Sequence, residues 1–316
     1  MPAPSHAIEL SAPDIAPYAA SNIGIPYAFS FDSANPGPHV LVNALTHGNE
    51  ICGAIALDHL FRQGIRPVRG KLTLSFANVA AYRRFDAANP AASRFVDEDF
   101  NRLWNVATLD GARHSVEFAR ARALRPLIDA ADLLLDIHSM QRAAAPLMLT
   151  GLTDKALTLA RRVGVPEIIV RDAGHAAGKR MRDYGAFGDP ASPKTALLVE
   201  CGQHWERRAA DVAIEASLRF LAVSGVLAPE EAARHLSRPA PPQRIVAVTD
   251  AVAIASDRFE FVADFRGLEV IAKAGTVIAR DGERAIRTPY DECVLVMPSR
   301  RLARGQTAVR LGRFTE

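Results

Sequence analysis

Two histidines and a glutamate stand where the sequence could build a metal site. His47 and Glu50 lie three residues apart, directly after the apolar run "HVLVNAL", and His138 follows the apolar run "LLLDI". Two histidines and one carboxylate are a frequent ligand set of catalytic zinc, which keeps one position open for water. Bound zinc lowers the pKa of that water to roughly 7, so a hydroxide nucleophile is available at neutral pH. The spacing therefore predicts one zinc ion per chain.

Further polar residues accompany these three. Glu200 lies in the otherwise apolar stretch "TALLVECG", where a carboxylate needs a partner or a chemical task. The segment "SRFVDEDFNRLW" carries Arg94, Asp99, Asn101 and Arg102. Simpler interpretations exist, because Glu50 would be favoured in the first turn of a helix and the loop charges could pair in solvent. The joint order of all these residues favours a catalytic site.

The elements that must position these residues alternate along the chain. From about residue 39, strand-like runs such as "HVLVNAL", "KLTLSFAN", "LLLDI" and "TALLVEC" alternate with helix-like runs such as "NEICGAIALDHLFRQG" and "ERRAADVAIEASLRFLAVSG". This alternation predicts an α/β fold, with helices on both faces of a sheet. In open α/β sheets, ligands bind beyond the carboxyl ends of the strands, so distant residues can meet there.

The pattern changes at the proline-rich stretch "SRPAPPQR", from Ser237 to Arg244. Such a stretch is typical of a linker. The segments beyond it are short and strand-like, with turn signals between them. The sequence therefore predicts a catalytic domain over residues 1–237 and a small all-β domain over residues 241–316.

The composition excludes several classes of partner. The net charge is only +3, and the arginines are spread along the chain rather than gathered in a stripe, so nucleic acid is not expected. The longest apolar runs are too short for a membrane span. The first residues lack a basic segment followed by a long apolar one. The three cysteines show no metal-finger spacing, which favours free thiols and a cytoplasmic protein.

Four motifs in order resemble the succinylglutamate desuccinylase/aspartoacylase family of the zinc carboxypeptidase superfamily: "HGNE" at 47–50, "RFVDEDFNR" at 94–102, "LDIHS" at 135–139 and "LLVECG" at 197–202. The resemblance implies a three-layer α/β/α domain with a mixed sheet, followed by a small β domain. It implies zinc ligation by His47, Glu50 and His138. It also implies that Glu200 is the general base and that Arg94 stabilises the oxyanion of the tetrahedral intermediate.

The same resemblance assigns substrate contacts. Asn101 and Arg102 resemble the pair that binds a substrate carboxylate. Arginine suits this role because its planar guanidinium group can donate hydrogen bonds to both carboxylate oxygens. A small anionic substrate is therefore expected. Asp99 resembles the carboxylate that orients a ligand histidine, here His47. Tyr290 resembles the tyrosine that the family's C-terminal domain contributes near the substrate.

Some features depart from the best-known members. The stretch "CGQHW" after Glu200 and the loop before it differ from aspartoacylases, so the motifs do not point to acetylaspartate or succinylglutamate. Four residues in these stretches would either line the pocket or be ordinary structural or surface residues: His175, Arg182, Tyr184 and His204. A homo-oligomer is one expectation, because β domains of this kind can pack between subunits.

The leading hypothesis is a zinc-dependent amidohydrolase that cleaves a small N-acyl amino acid. A zinc carboxypeptidase or an esterase with the same residues is the alternative among enzymes. A catalytically silent metal-binding regulatory protein is the alternative among non-enzymes. Glu200 discriminates against the last of these, because a binding module has no need of a general base beside its metal.

Overall fold

The computed structural model describes residues 7–174, 177–236 and 239–315. Its strands are β1 Ala28–Asp32, β2 His39–Ala44, β3 Lys71–Phe76, β4 Leu133–Met140, β5 Leu147–Leu149, β6 Ile168–Arg171, β7 Thr195–Gln203, β8 Arg244–Ala253, β9 Phe259–Phe261, β10 Val270–Ile271, β11 Val277–Asp281, β12 Arg284–Arg287, β13 Cys293–Val296 and β14 Thr307–Thr315. Its α-helices are α1 Ile51–Arg62, α2 Val79–Tyr82, α3 Val106–Leu109, α4 Val116–Ala130, α5 Asp154–Val163, α6 Arg207–Val223 and α7 Pro229–His235. Short 3₁₀ helices span Ala16–Tyr18, Pro90–Arg94, Phe100–Arg102, Met181–Asp183 and Gly185–Phe187.

An eleven-stranded mixed sheet runs through the molecule, in the order β1-β3-β2-β4-β7-β5-β6-β8-β14-β13-β10. Strands β3, β2, β4 and β7 are mutually parallel neighbours, whereas β1 and β5 each pair antiparallel with a neighbour. The parallel strands are rich in apolar residues and buried almost throughout, as expected when helices cover both faces of a sheet. Because β2, β4 and β7 run in the same direction, their carboxyl ends share one edge.

Two layers of helices cover the two faces of this sheet. In β2, Val40 and Val42 pack in one core with α1 and α6, while Leu41 between them packs in a second core with α4. This alternation follows from the two-residue period of a strand. On α1, Leu57 and Leu60 lie on one helical face and are fully buried. Each such side chain contributes about 1.5–3 kcal/mol relative to an exposed one.

The C-terminal region, described from residue 239 to 315, contains strands and loops and no helix within those residues. Strands β9, β11 and β12 form a separate three-stranded sheet. The mixed α/β sheet and this strand-rich region confirm the predicted fold. However, β8 pairs in parallel with β6, from Arg244 beside Ile168 to Ala247 beside Arg171, so β8, β14, β13 and β10 extend the central sheet.

The division into domains 1–237 and 241–316 therefore stays a prediction, and its boundary residue Ser237 lies outside the described residues. Among the described helices, none combines the length and apolar character needed to cross a membrane.

Candidate metal centre and active site

The three predicted metal ligands converge at the carboxyl edge of the parallel strands. His47 and Glu50 lie in the turn between β2 and α1, and His138 lies in β4. The distance from His47 Nδ1 to Glu50 Oε1 is 2.8 Å, and that from His138 Nδ1 to Glu50 Oε2 is 2.9 Å. All three residues are buried, and their candidate ligand atoms lie within 4.8 Å of one another. The three side chains could hold a single metal ion.

The surroundings of Glu50 fit such an ion. Its buried Oε2 forms no hydrogen bond within the described residues, although His138 Nδ1 is close by. Burial alone would raise the pKa of this carboxyl, but His47 and His138 hold that pKa well below its usual value. The result is a buried carboxylate between two imidazole nitrogens, which is a donor set that zinc accepts.

Two aspartates contact the opposite nitrogens of the histidine rings. His47 Nε2 is 3.0 Å from Asp99 Oδ1, and His138 Nε2 is 2.7 Å from Asp136 Oδ2. Such contacts fix the orientation of a ligand histidine and leave Nδ1 for the metal. Two further side chains donate hydrogen bonds to Asp136 Oδ1 at 2.8 Å, those of Asn43 and Thr46.

Asp136 is a residue that the sequence analysis missed. A signal for it was present, because Asp136 and His138 are two residues apart in one strand and so point to the same face. A carboxylate at that spacing before a candidate ligand is well placed to bond the ring.

Close backbone packing places the "HGNE" turn. The N–H of Gly48 donates to the carbonyl oxygen of Arg94 at 3.0 Å, which holds the Arg94 loop beside the metal ligands. A Cβ atom at position 48 would lie 2.4 Å from the carbonyl carbon of Ala81 and 2.5 Å from the carbonyl oxygen of Ser93. Both neighbours are backbone atoms, so only glycine fits here.

Glu200 lies beside His138. The two residues are paired across the parallel strands β4 and β7, so their side chains emerge next to each other. Glu200 is 6% exposed, and its Oε2 has no hydrogen-bond partner among the described residues. Burial raises the pKa of this carboxyl to about 8, against the opposing effect of His138. A carboxyl with that pKa can both accept and release a proton near neutral pH.

Arg94 lies between the metal ligands and the following loop. Its Nη2 donates to Asp99 Oδ2 at 3.0 Å, and its Nη1 is 3.6 Å from Glu50 Oε1. Burial alone would lower the pKa of this guanidinium, but Asp99 and Glu50 raise it, so Arg94 stays charged. It lines the same cavity as the ligands and is therefore available to an anion there.

Asn101 and Arg102 also line this cavity. Asn101 Oδ1 accepts a hydrogen bond from the N–H of Met181 at 2.9 Å, and its Nδ2 lies 3.5 Å from His138 Nε2. Arg102 Nη1 donates to the carbonyl oxygen of Asn101 at 2.8 Å. The structure thus brings both residues to the site, and their carboxylate-binding role stays a prediction.

The cavity has a volume of about 860 Å³ and is lined by residues of both the central and the C-terminal regions. Nine of the described residues that line it are arginine or lysine, and four are aspartate or glutamate. This excess of positive charge favours an anionic ligand, because fixed charges of one sign concentrate ions of the other.

Arg180 is a second residue that the sequence analysis missed. It lines the cavity, is 2% exposed and pairs through Nη2 with the buried Asp172. Its Nε and Nη1 have no hydrogen-bond partner among the described residues. Arg310, from β14, lies with its Nε 2.9 Å from the same Asp172 carboxylate. The unpartnered donors of Arg180 could therefore bond to a ligand carboxylate in the cavity.

The structure places Tyr290 against the core of the C-terminal strands, and its role near the substrate stays a prediction. The described residues that line the cavity do not include it. Its hydroxyl oxygen is 2.5 Å from Thr249 Oγ1, and the Arg313 guanidinium stacks on its ring at 3.7 Å. Tyr290 thus belongs to the packing of the C-terminal strands. That region contributes Arg301 and Arg310 to the cavity instead.

The residues that the sequence left open divide between the cavity and the core. Arg182 is buried, and its Nη2 donates to the carbonyl oxygen of Thr150 at 2.7 Å. Tyr184 is buried, and its hydroxyl accepts from Arg125 Nε at 2.8 Å. Neither is among the described lining residues, whereas His204 is. His175 lies outside the described residues.

Comparisons with known proteins match this chain to one family. The family model described as "Succinylglutamate desuccinylase/Aspartoacylase catalytic domain" matches residues 36–221. No curated protein matches the chain in sequence.

Several solved structures share the fold. A succinylglutamate desuccinylase from Vibrio parahaemolyticus is 18% identical with a TM-score of 0.66, over 89% of this chain and 82% of that one. A product-bound ectoine utilization protein from Ruegeria pomeroyi is 18% identical with a TM-score of 0.63, over 88% of this chain and 86% of that one. An aspartoacylase family protein from Mesorhizobium loti is 15% identical with a TM-score of 0.63, over 92% of this chain and 89% of that one.

Proposed function

Because the chain belongs to the succinylglutamate desuccinylase/aspartoacylase family of hydrolases, we propose that it is a zinc-dependent deacylase. Its substrate would be a small N-acyl amino acid or a related anion with an amide bond. One observation carries this proposal: the buried carboxyl of Glu200 lies beside the His47, Glu50 and His138 cluster, in a cavity with an excess of positive charge.

His47, Glu50 and His138 would hold the zinc ion. When bound, the ion would supply a water of lowered pKa and polarise the scissile carbonyl group. Asp99 and Asp136 would keep the two imidazole rings in the orientation that presents Nδ1. Their contacts to Nε2 make that tautomer the stable one, because each carboxylate accepts the ring N–H.

Glu200 would carry the proton of the reaction. It would accept a proton from the attacking water and then deliver it to the departing amine. Without that proton the amine would have to depart as an amide anion, which is a poor leaving group. Arg94 would stabilise the negative charge that develops on the carbonyl oxygen. A single positioned donor of this kind supplies about 3–4 kcal/mol of transition-state stabilisation.

The substrate carboxylate would bind on the side of the cavity that holds Asn101, Arg102 and Arg180. The unpartnered donors of Arg180 support this placement, since a buried guanidinium with free N–H groups gains most from a carboxylate. The names of the similar desuccinylase and aspartoacylase family structures agree with a substrate of this class. We place the activity in the cytoplasm because all three cysteines are free thiols.

The experiment is an assay of amine release from a panel of N-acetyl, N-succinyl and N-formyl amino acids and short peptides. It is run with zinc-loaded protein and with protein treated with a chelator. We expect release from at least one acyl amino acid, abolished by the chelator and restored by zinc.

Release from peptides only would support the carboxypeptidase alternative. Turnover of esters alone would support the esterase. Zinc binding without any turnover would support the metal-binding regulatory protein and contradict the proposal.

A further inference from the structure

His204 is a cavity-lining imidazole whose two nitrogens differ sharply in their surroundings. Its Nδ1 is 2.8 Å from Ser139 Oγ, and its backbone N–H donates to the carbonyl oxygen of Met140 at 2.9 Å. The ring is therefore tied to the end of β4, next to the ligand His138. Its Nε2 is buried and has no hydrogen-bond partner among the described residues. The residue as a whole is 2% exposed.

The Ser139 contact indicates which nitrogen carries the proton. If the Ser139 hydroxyl donates to Nδ1, the hydroxyl hydrogen is satisfied and Nε2 carries the ring N–H. If Nδ1 donates instead, the hydroxyl hydrogen of Ser139 is left without an acceptor among the described residues. The first arrangement satisfies one more buried group, so His204 presents an N–H donor at Nε2. Burial lowers the pKa of this imidazole to about 3, so the ring is neutral.

An unmet donor of this kind in a cavity wall indicates a ligand acceptor. Leaving a buried polar group unpaired is unfavourable, so a partner from the cavity is expected. A neutral N–H group can donate to an oxygen atom whether or not that oxygen is charged, which suits carbonyl and carboxylate oxygens alike.

His204 and Arg301 line the same cavity as Asn101, Arg102 and Arg180, the residues proposed to bind the substrate carboxylate. His204 is tied to the end of β4 through Ser139, whereas Asn101 and Arg102 lie in the short helix Phe100–Arg102. If Asn101, Arg102 and Arg180 hold the amino-acid half of an amide substrate, the acyl half is left to other parts of the lining, to which His204 and Arg301 belong.

We propose that His204 is a specificity-determining residue, whose Nε2–H donates a hydrogen bond to an oxygen on the acyl group beyond the scissile carbonyl. The preferred acyl group is therefore one that ends in an oxygen acceptor, such as a carboxylate, rather than a plain alkyl chain. This inference rests on the proposed deacylase function for the orientation of the substrate.

The test measures binding rather than turnover, in zinc-loaded protein that also carries Glu200→Gln so that hydrolysis is suppressed. Calorimetry gives the ratio of dissociation constants for the N-acetyl and the N-succinyl derivative of the same amino acid. We expect tighter binding of the N-succinyl derivative, and a fall of this preference by about tenfold on His204→Phe, which removes one hydrogen bond to a charged group.

Three further variants separate recognition from structure. His204→Gln keeps an N–H donor and should restore part of the preference. Ser139→Ala should weaken the preference less than His204→Phe, because it frees the ring without removing it. His114→Phe changes an exposed histidine outside the described cavity lining and should leave the ratio unchanged. Zinc content is measured for each variant, so a lost metal site is recognised as such.

Several outcomes would overturn the proposal. An equal loss of affinity for both ligands on His204→Phe would make His204 a structural residue. The absence of any N-succinyl preference with His204 intact, including the absence of binding, would also refute it. A preference that depends on His204 in a protein without deacylase activity would support the recognition role and contradict the proposed function, so the two failures are distinguishable.

Discussion

At the scale of single residues, the chemistry depends on a buried carboxyl group, one of whose oxygens has no hydrogen-bond partner among the described residues. Glu200 lies beside His138 with one oxygen unpartnered among the described residues, and burial raises its pKa to about 8. Glu50, a few ångströms from the same histidine, has the opposite shift, because two imidazoles surround it. Two neighbouring carboxyls with pKa values shifted in opposite directions typically have different roles. Here Glu50 would stay ionised, and Glu200 would transfer the proton.

This division predicts the behaviour of Glu200→Gln. The amide keeps the shape of the side chain but cannot carry the proton, so turnover should fall by about 10²–10⁴-fold. Zinc content should not change, because Glu200 is not among the three ligands. The measurement is kcat on the best substrate of the panel together with metal analysis. Glu230→Gln, on the exposed face of α7, is the matched control and should keep full activity. Near-normal turnover of Glu200→Gln would remove Glu200 from the mechanism.

The residues that the sequence could predict are those with a local signature. His47 and Glu50 share a turn, and Glu200 interrupts an apolar strand, so the pattern alone makes each unusual. Tyr290 had no such signature, and its hydroxyl contacts Thr249 rather than the cavity. Arg180 could not be chosen from among the many arginines, because its burial is a property of the folded molecule.

At the scale of elements, the site depends on the register of strands and on one buried ion cluster. The pairing of His138 with Glu200 is followed by a register shift between β4 and β7, after which Met140 pairs with Gln203, the residue before His204. Further along the sheet, Asp172 follows β6 and pairs with Arg180 and with Arg310 of β14. This cluster connects the C-terminal strands to the cavity wall.

Removing the shared carboxylate should destabilise the protein. Burial alone would raise the pKa of Asp172, but Arg180 and Arg310 hold that pKa below its usual value. Its contribution to stability is therefore complete at neutral pH and lost only as the pH falls through the folded-state value. We expect Asp172→Asn to lower the free energy of unfolding at pH 7 by about 3–5 kcal/mol, because it removes the carboxylate that pairs with the buried Arg180.

Denaturant titration followed by circular dichroism measures this change. Asp154→Asn is the matched control, since Asp154 forms an exposed ion pair with Arg171 and should cost less than about 1 kcal/mol. A similar small effect for both variants would show that the Asp172 cluster does not stabilise the fold.

The order of the helices and strands could largely be predicted from the sequence, whereas the pairing of distant strands in the sheet could not. Apolar runs and their periods depend on nearby residues, so the strands and helices of the α/β part are visible in the sequence. The parallel pairing of β8 with β6 joins segments that are more than seventy residues apart, and no local pattern encodes it. The family resemblance led us to expect a contribution of the C-terminal region through Tyr290, but no local pattern pointed to Arg301 and Arg310 as lining residues.

At the scale of the whole molecule, charge is distributed unevenly. The chain carries a net charge of only +3, yet nine cationic residues line one cavity against four acidic ones. The balance elsewhere is close to neutral, so the excess of cationic over acidic residues is a local feature of the cavity lining. Residues from His47 to Arg310 build it, so recognition of an anionic substrate depends on both the α/β part and the C-terminal strands.

The central claim is that this fold assembles a zinc site from His47, Glu50 and His138. The most direct test is the zinc content of the full chain after equilibrium dialysis against buffered zinc, measured by mass spectrometry. The account predicts one zinc ion per chain in the unaltered protein and in His114→Ala. It predicts no specifically bound zinc in the double variant His47→Ala with Glu50→Ala. Unchanged zinc occupancy in that double variant would contradict the account.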